Sequence, residues 1–133
     1  MERRVFKPAL AILGKEVRDL DEAGRILLSE MGAKTAPEDL IATFIGGGVS
    51  ILHARGWVDV PIVGFMRPEV PFEDDGAEVR YVFLVISPKE DPDAHLIALA
   101  RVARIMSEKE VREALENISD SAECMKLLER YSA

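Results

Sequence analysis

Residues 79–87 read VRYVFLVIS. Successive residues of a strand point to opposite faces, and here apolar side chains occupy both parities. A half-exposed strand alternates, whereas one that is apolar throughout needs cover on both sides. The run therefore predicts a central strand with helices packed on either face, a layered α/β architecture. A length of 133 residues suits one domain spanning 1–133. With 48% hydrophobic residues the chain can build a core without covalent staples.

The rest of the chain supplies the flanking elements. PALAIL at 8–13 predicts a first strand. Asp19 or Asp21 caps a helix whose stripe is Leu20, Ala23, Ile26, Leu27 and Met31, with Gly32 as its stop. In TAPEDL, Thr35 and Glu38 have capping-box spacing, with Pro37 in the first turn. That spacing predicts a short helix through Leu40, Ile41 and Phe44, ended by Gly46-Gly47-Gly48. VSIL predicts a short strand ending at His53. VDVPIVGFM at 58–66 predicts another, at an edge or bulged, because Pro61 has no N–H for a ladder. EVPF at 69–72 continues the sheet or turns. Beyond Asp91 the chain is helical. Asp91 caps the first of these helices, Pro92 opens it, and its expected core face is Leu96, Leu99, Ala100, Ala103 and Met106. Ser107 with Glu110, and Asp120 with Glu123, are the starts expected for two more.

Charge narrows the function. A net charge of −7 disfavours nucleic acid, whose phosphates call for a basic surface, and disfavours an anionic membrane face. It favours solubility as a monomer or small homo-oligomer. The acidic clusters 73–75 and 90–93 read as solvated loops. A single cysteine, Cys124, precludes an internal disulfide and falls in a helix as a small buried thiol. Arg3-Arg4 before Phe6 and Lys7 has the outline of a twin-arginine signal, but the apolar run after it is short and no cleavage site follows, so export is not expected. No run approaches the roughly 20 apolar residues of a membrane span. A cytoplasmic location is expected.

Two histidines carry the chemistry. His53 follows a glycine segment and ends a strand, where ligand sites of open α/β sheets gather. Gly47 and Gly48 would let the backbone approach an anion such as phosphate, and the planar fork of Arg55 would clamp its oxygens. His95 lies in the first turn after Asp91, at a helix end that favours anions and disfavours imidazolium. Brought together, a neutral imidazole would act as nucleophile toward a phosphoryl group, with the second imidazole and Arg55 stabilising the added charge. Two histidines are half of a tetrahedral zinc set, so no metal is expected. No cofactor is expected either.

The segments ILHARG, VPFEDDGAEVRYVFLVISPKEDPDAHLIALARVARIMSEKEVREAL and SAECMKLLER together resemble the enzyme IIA domain of the fructose/mannitol class of the sugar phosphotransferase system, its nitrogen-regulatory branch included. The likeness runs from Ala9 to Leu128 and is best in the C-terminal half. It implies a mixed, mainly parallel sheet of about five strands sandwiched between helices. It also implies that His53 accepts phosphate from the phosphocarrier HPr and passes it to a IIB domain, with His95 in support. The family pattern has proline before the acceptor, where this chain has Leu52. It also has a longer preceding segment, with an arginine and small hydroxyl residues, whose arginine has no counterpart here.

Three functions follow as expectations. The first is a phosphohistidine carrier, recognised through an apolar surface around Leu52, Trp57 and Phe65. The second is a regulatory or binding domain of the same fold, without phosphotransfer, acting on or fused to a transporter. The third is an unrelated α/β domain with a small-anion pocket between Gly46 and Arg55.

Overall fold

The computed structural model describes residues 4–133, so Arg3 of the arginine pair lies outside the described residues. Strand β1 spans Lys7–Lys15 and is followed by helix α1, Leu20–Glu30. Strands β2, Ile41–Gly46, and β3, Val49–Gly56, form a hairpin; β4 spans Ile62–Pro68. Short strands β5, Phe72–Asp74, and β6, Ala77–Val79, pair as a separate ribbon. The last strand is β7, Tyr81–Pro88; then come α2, Pro92–Ser107, α3, Lys109–Asn117, and α4, Ser121–Arg130.

The main sheet has the order β1-β4-β7-β3-β2, which puts β7 at its centre. Pairings β1–β4 and β3–β7 are parallel, while β4–β7 and β2–β3 are antiparallel. The sheet is therefore mixed, five-stranded and layered with helices as expected, but its pairings are half parallel and half antiparallel rather than mainly parallel.

Alternation along β7 explains the two layers. Tyr81, Phe83 and Val85 join a core with Ala98, Val102, Ile105, Leu115 and Leu128 from the C-terminal helices. Val82, Leu84 and Ile86 join a second core with Leu20, Ala23, Leu27 and Leu28 of α1. Each buried Val, Leu, Ile or Phe side chain among these contributes about 1.5–3 kcal/mol. Cys124 is buried in the first core, and burial pushes its thiol up to about 11.

Several local expectations are corrected. The Thr35 box does not form: Pro37–Asp39 makes one 3-10 turn without a side-chain cap, and the segment after it is β2. Ile41, Thr43, Phe44 and Ile45 suit a strand. Gly47 and Gly48, at φ +62° and +78°, are the two-residue turn that returns the chain antiparallel into β3. Pro61 precedes β4, so the ladder never meets the ring, and β4 lies inside the sheet rather than at an edge. Ser107 ends α2, where its hydroxyl bonds the carbonyl of Arg104, and α3 starts at Lys109 without a side-chain cap. Asp19, Asp91 and Asp120 do cap their helices.

The buried stripe of α2 is Ala98, Val102, Ile105 and Met106; Leu96 is 64% exposed. The segment LIALARVARIM is apolar around much of its circumference, so two stripes satisfy the helical period. Docking on the sheet selected the one that continues through His95. Leu52 and Phe65 are also buried, Leu52 against α1 and Phe65 against the opposite layer, so neither belongs to a surface around His53.

Candidate functional site

His53 lies within β3, on the parity of Val49, Ile51 and Arg55, which faces α2. Residue 53 is level with Val85 of β7, and Arg55 is level with Ser87. After Pro88 the chain turns and starts α2: the Asp91 side chain accepts from the Ala94 N–H at 3.0 Å. One turn of helix then places His95 over the end of β7. The two imidazoles meet, with ring centroids 5.3 Å apart and planes inclined at 49°.

Two hydroxyl residues hold them. Thr43 Oγ1 lies 3.1 Å from His53 Nε2, and Ser87 Oγ lies 2.7 Å from His95 Nδ1. A partly buried imidazole needs such partners, because an unpaired polar group loses its hydration without compensation. Sequence reasoning missed both. Reading 40–44 as helix hid Thr43, which reaches His53 only because β2 pairs with β3. The available signal was Gly-Gly between β-forming runs, a hairpin signature. Ser87 had a signal too, as the one polar residue closing an apolar strand.

Burial lowers the pKa of His53 from its ordinary value. Burial, then His53, then Arg55 lower that of His95. Both rings are therefore chiefly neutral at pH 7, the state in which a ring nitrogen keeps a lone pair. Each ring binds a proton less readily folded than unfolded. Its contribution to stability is thus fully present above the unfolded value near 6.5 and is lost as pH falls through the folded value. Proton NMR titration of the ring C–H signals is expected to give both midpoints below 6.5. A midpoint above that value for either ring contradicts the burial argument.

The pair opens onto a cleft of about 1070 Å³. Arg55 and Trp57, the latter 39% exposed, stand on its wall. Lys34, Arg55 and Lys89 line it together with Asp39, Asp59 and Glu90, so its charges balance. Anion binding there depends on local donors rather than on a net positive field. The tip of α2 is already capped by a carboxylate, that of Asp91, which takes one of its free N–H groups.

Gly47 and Gly48 do not join this site. They lie just before β3, six and five residues from His53, which along a strand is about 16 Å or more. Their work is the hairpin turn, and a side chain on Gly48 would collide with Arg80. Among the described residues, no three His, Cys, Asp or Glu side chains are grouped to hold a metal, and no helix is long and apolar enough to cross a membrane.

Fold and site together define a class: a helix-covered mixed sheet that presents two neutral imidazoles, one from a strand and one from a helix start, to an open cleft. Residues 31–131 match the phosphoenolpyruvate-dependent sugar phosphotransferase system EIIA 2 family, and the chain belongs to that family. It is 27% identical over 117 residues to a nitrogen regulatory protein of Pseudomonas aeruginosa, covering 78% of this chain and 76% of that protein. A nitrogen regulatory protein of Bradyrhizobium diazoefficiens is 36% identical over 88 residues, covering 63% of this chain and 58% of that one. Among solved structures, the nitrogen regulatory protein IIA-Ntr of Neisseria meningitidis superposes with a TM-score of 0.77 at 23% identity, covering 93% of this chain and 96% of that one. A PTS IIA protein of Streptococcus mutans gives 0.71 at 17% identity, covering 92% and 88%. These two show the shared fold. Family membership puts the chain among phosphotransferase-system phosphocarriers and regulators.

Proposed function

We propose that this protein is a phosphohistidine carrier: His53 accepts a phosphoryl group from an HPr-like protein and passes it to a IIB domain or uses it for regulation. The observation that carries this reading is the meeting of the chain's two histidines, 5.3 Å apart by ring centroid, at an open cleft. A lone pair of neutral His53 attacks the phosphorus of a phosphohistidine on the donor. One N–P bond forms as another breaks, the donor imidazole leaves with the electron pair and takes up a proton, and His53 gives up the proton of its other ring nitrogen, so both rings end neutral. Both bonds are of one type, so the exchange is close to balanced and reversible. Arg55 and the second imidazole offset the charge brought into the cleft. Trp57 and Ile41 are exposed apolar side chains on the cleft, Leu96 is an exposed neighbour of His95 in sequence, and they suit a docking protein in the cytoplasm.

Two curated relatives carry the name nitrogen regulatory protein, which favours a regulatory use of the phosphate over sugar uptake. A second reading, a regulatory domain that acts on a transporter without phosphotransfer, draws on the balanced charges of the cleft and on Leu52. Incubation with phosphoenolpyruvate, enzyme I and HPr separates the two. The carrier takes up one acid-labile phosphate; an unlabelled protein beside phosphorylated HPr leaves only the second reading.

Thr43 Oγ1 lies 3.1 Å from His53 Nε2, so a phosphoryl group taken up on that nitrogen arrives beside the hydroxyl. Thr43→Val keeps the shape and removes the hydroxyl, and the loss of one hydrogen bond predicts a five- to tenfold slower transfer, roughly. Rapid-quench measurement of phosphate leaving HPr checks it; an unchanged rate removes Thr43 from the mechanism.

A further inference from the structure

We infer that Ser87 is a positioning residue: its hydroxyl donates to His95 Nδ1 and locks that imidazole as the neutral Nε2–H tautomer, so that His95 serves the cleft as a hydrogen-bond donor. Its meaning for phosphotransfer rests on the carrier reading above, whereas the tautomer itself does not.

A serine hydroxyl has one hydrogen to donate and lone pairs to accept. Ser87 is fully buried at 0% exposure, and among the described residues its Oγ has one partner, His95 Nδ1 at 2.7 Å. Two arrangements satisfy that distance. In one, Nδ1–H donates to Oγ. The hydroxyl hydrogen then points into a dry interior without an acceptor, which costs the full desolvation of a donor. In the other, the hydroxyl donates to the Nδ1 lone pair and every polar atom of the pair is satisfied. The second arrangement prevails by about tenfold or more on that difference. With Nδ1 occupied as an acceptor, the proton of the neutral ring sits on Nε2.

The backbone makes this possible. Ser87 follows Val85 on the α2 face of β7, and Asp91 and Pro92 start α2 so that residue 95 comes down over the end of that strand. Depression of the His95 pKa by burial keeps the ring neutral near pH 7, as a single tautomer requires.

The lock divides the labour of the two rings. Nε2 is the nitrogen of His95 left for the cleft, and as N–H it has no lone pair with which to attack phosphorus. It donates instead to a phosphoryl oxygen on His53. His53 is under no such constraint: Thr43, its partner, is exposed, and a solvated hydroxyl turns freely between donating and accepting.

Two-bond proton–nitrogen correlation spectra of the ¹⁵N-labelled chain decide the point, since only two imidazoles contribute. At pH 7.5 the expected pattern for His95 is a protonated Nε2 and an unprotonated, hydrogen-bonded Nδ1. Ser87→Ala should lose that pattern to a mixture of tautomers, and Ser87→Thr, which restores a hydroxyl, should recover it. A proton on Nδ1 in the wild type, or an unchanged pattern in Ser87→Ala, overturns the lock. The wild-type spectrum is decisive even if a variant folds poorly. Transfer from phosphorylated HPr should slow about tenfold in Ser87→Ala. An unchanged rate with altered tautomers refutes the positioning role. A wild type that shows the Nε2–H pattern yet takes no phosphate removes the carrier reading and upholds the tautomer.

Discussion

His53→Ala accepts no phosphoryl group from phosphorylated HPr, whereas His95→Ala still accepts one, about a hundredfold more slowly. The two effects differ in kind. Removing His53 deletes the nitrogen that forms the new bond, and no other free imidazole is left that suits the task. Removing His95 deletes a donor that stabilises charge on the transferred group, and losses of one such donor run to roughly 10²–10³ in rate. Geometry makes the asymmetry specific. His53 is held on a strand beside exposed Thr43, while the Nδ1 of His95 is engaged by Ser87. Both variants remove side chains at the cleft rather than in either core, so both should remain folded. Acid-labile incorporation after a fixed time gives the acceptor, and single-turnover rates give the donor. Label retained in His53→Ala, or lost equally in both variants, would sink the assignment of roles.

Phe83→Ala should cost about 3–5 kcal/mol of stability, the usual range for deleting a large aromatic side chain from a packed interior. Phe83 is fully buried on the central strand, level with Ile51 on one side and Phe65 on the other. Its ring lies 5.0 Å from that of Phe65 at 57°, a tilted arrangement favourable to two aromatic quadrupoles. β7 is hydrogen-bonded on both edges, so the backbone has little freedom to collapse into the void. Total stabilities of such domains are about 5–15 kcal/mol, so the variant should sit near the threshold of folding. Phe44→Ala, by contrast, removes a ring that is 47% exposed on the outermost strand. It should cost well under a third as much. Urea unfolding monitored by circular dichroism checks both, with an unchanged slope as the sign that two-state behaviour holds. A Phe83→Ala loss below about 1 kcal/mol would mean that the core of this face lies elsewhere.

Legibility varied along the chain for physical reasons. VRYVFLVIS announced its place because a run apolar on both parities has one stable environment. The caps Asp91 and Asp120 could be read because a cap is made within a few residues, while only the structure chooses between Asp19 and Asp21, taking Asp19. TAPEDL misled because its spacing satisfies a helix start locally, while its outcome was set by β3, which offers IATFIG a ladder. In α2, Leu96 and Ala98 compete for the buried face with nearly equal claims, and only contact with the sheet separates them. Gly47 and Gly48 were legible as a place of unusual backbone but not as a hairpin turn remote from His53.

The sequence alone determined the layered α/β class, the central strand, the helix starts at Asp91 and Asp120, and the two histidines as the chemistry-bearing residues. Each of these follows from local periodicity, capping or residue chemistry. Tertiary structure alone decided the strand order, the even mixture of parallel and antiparallel pairings, the meeting of His53 with His95, and the recruitment of Thr43 and Ser87. Those contacts join residues far apart along the chain, so their energy depends on which faces dock, a quantity that no short window of sequence contains.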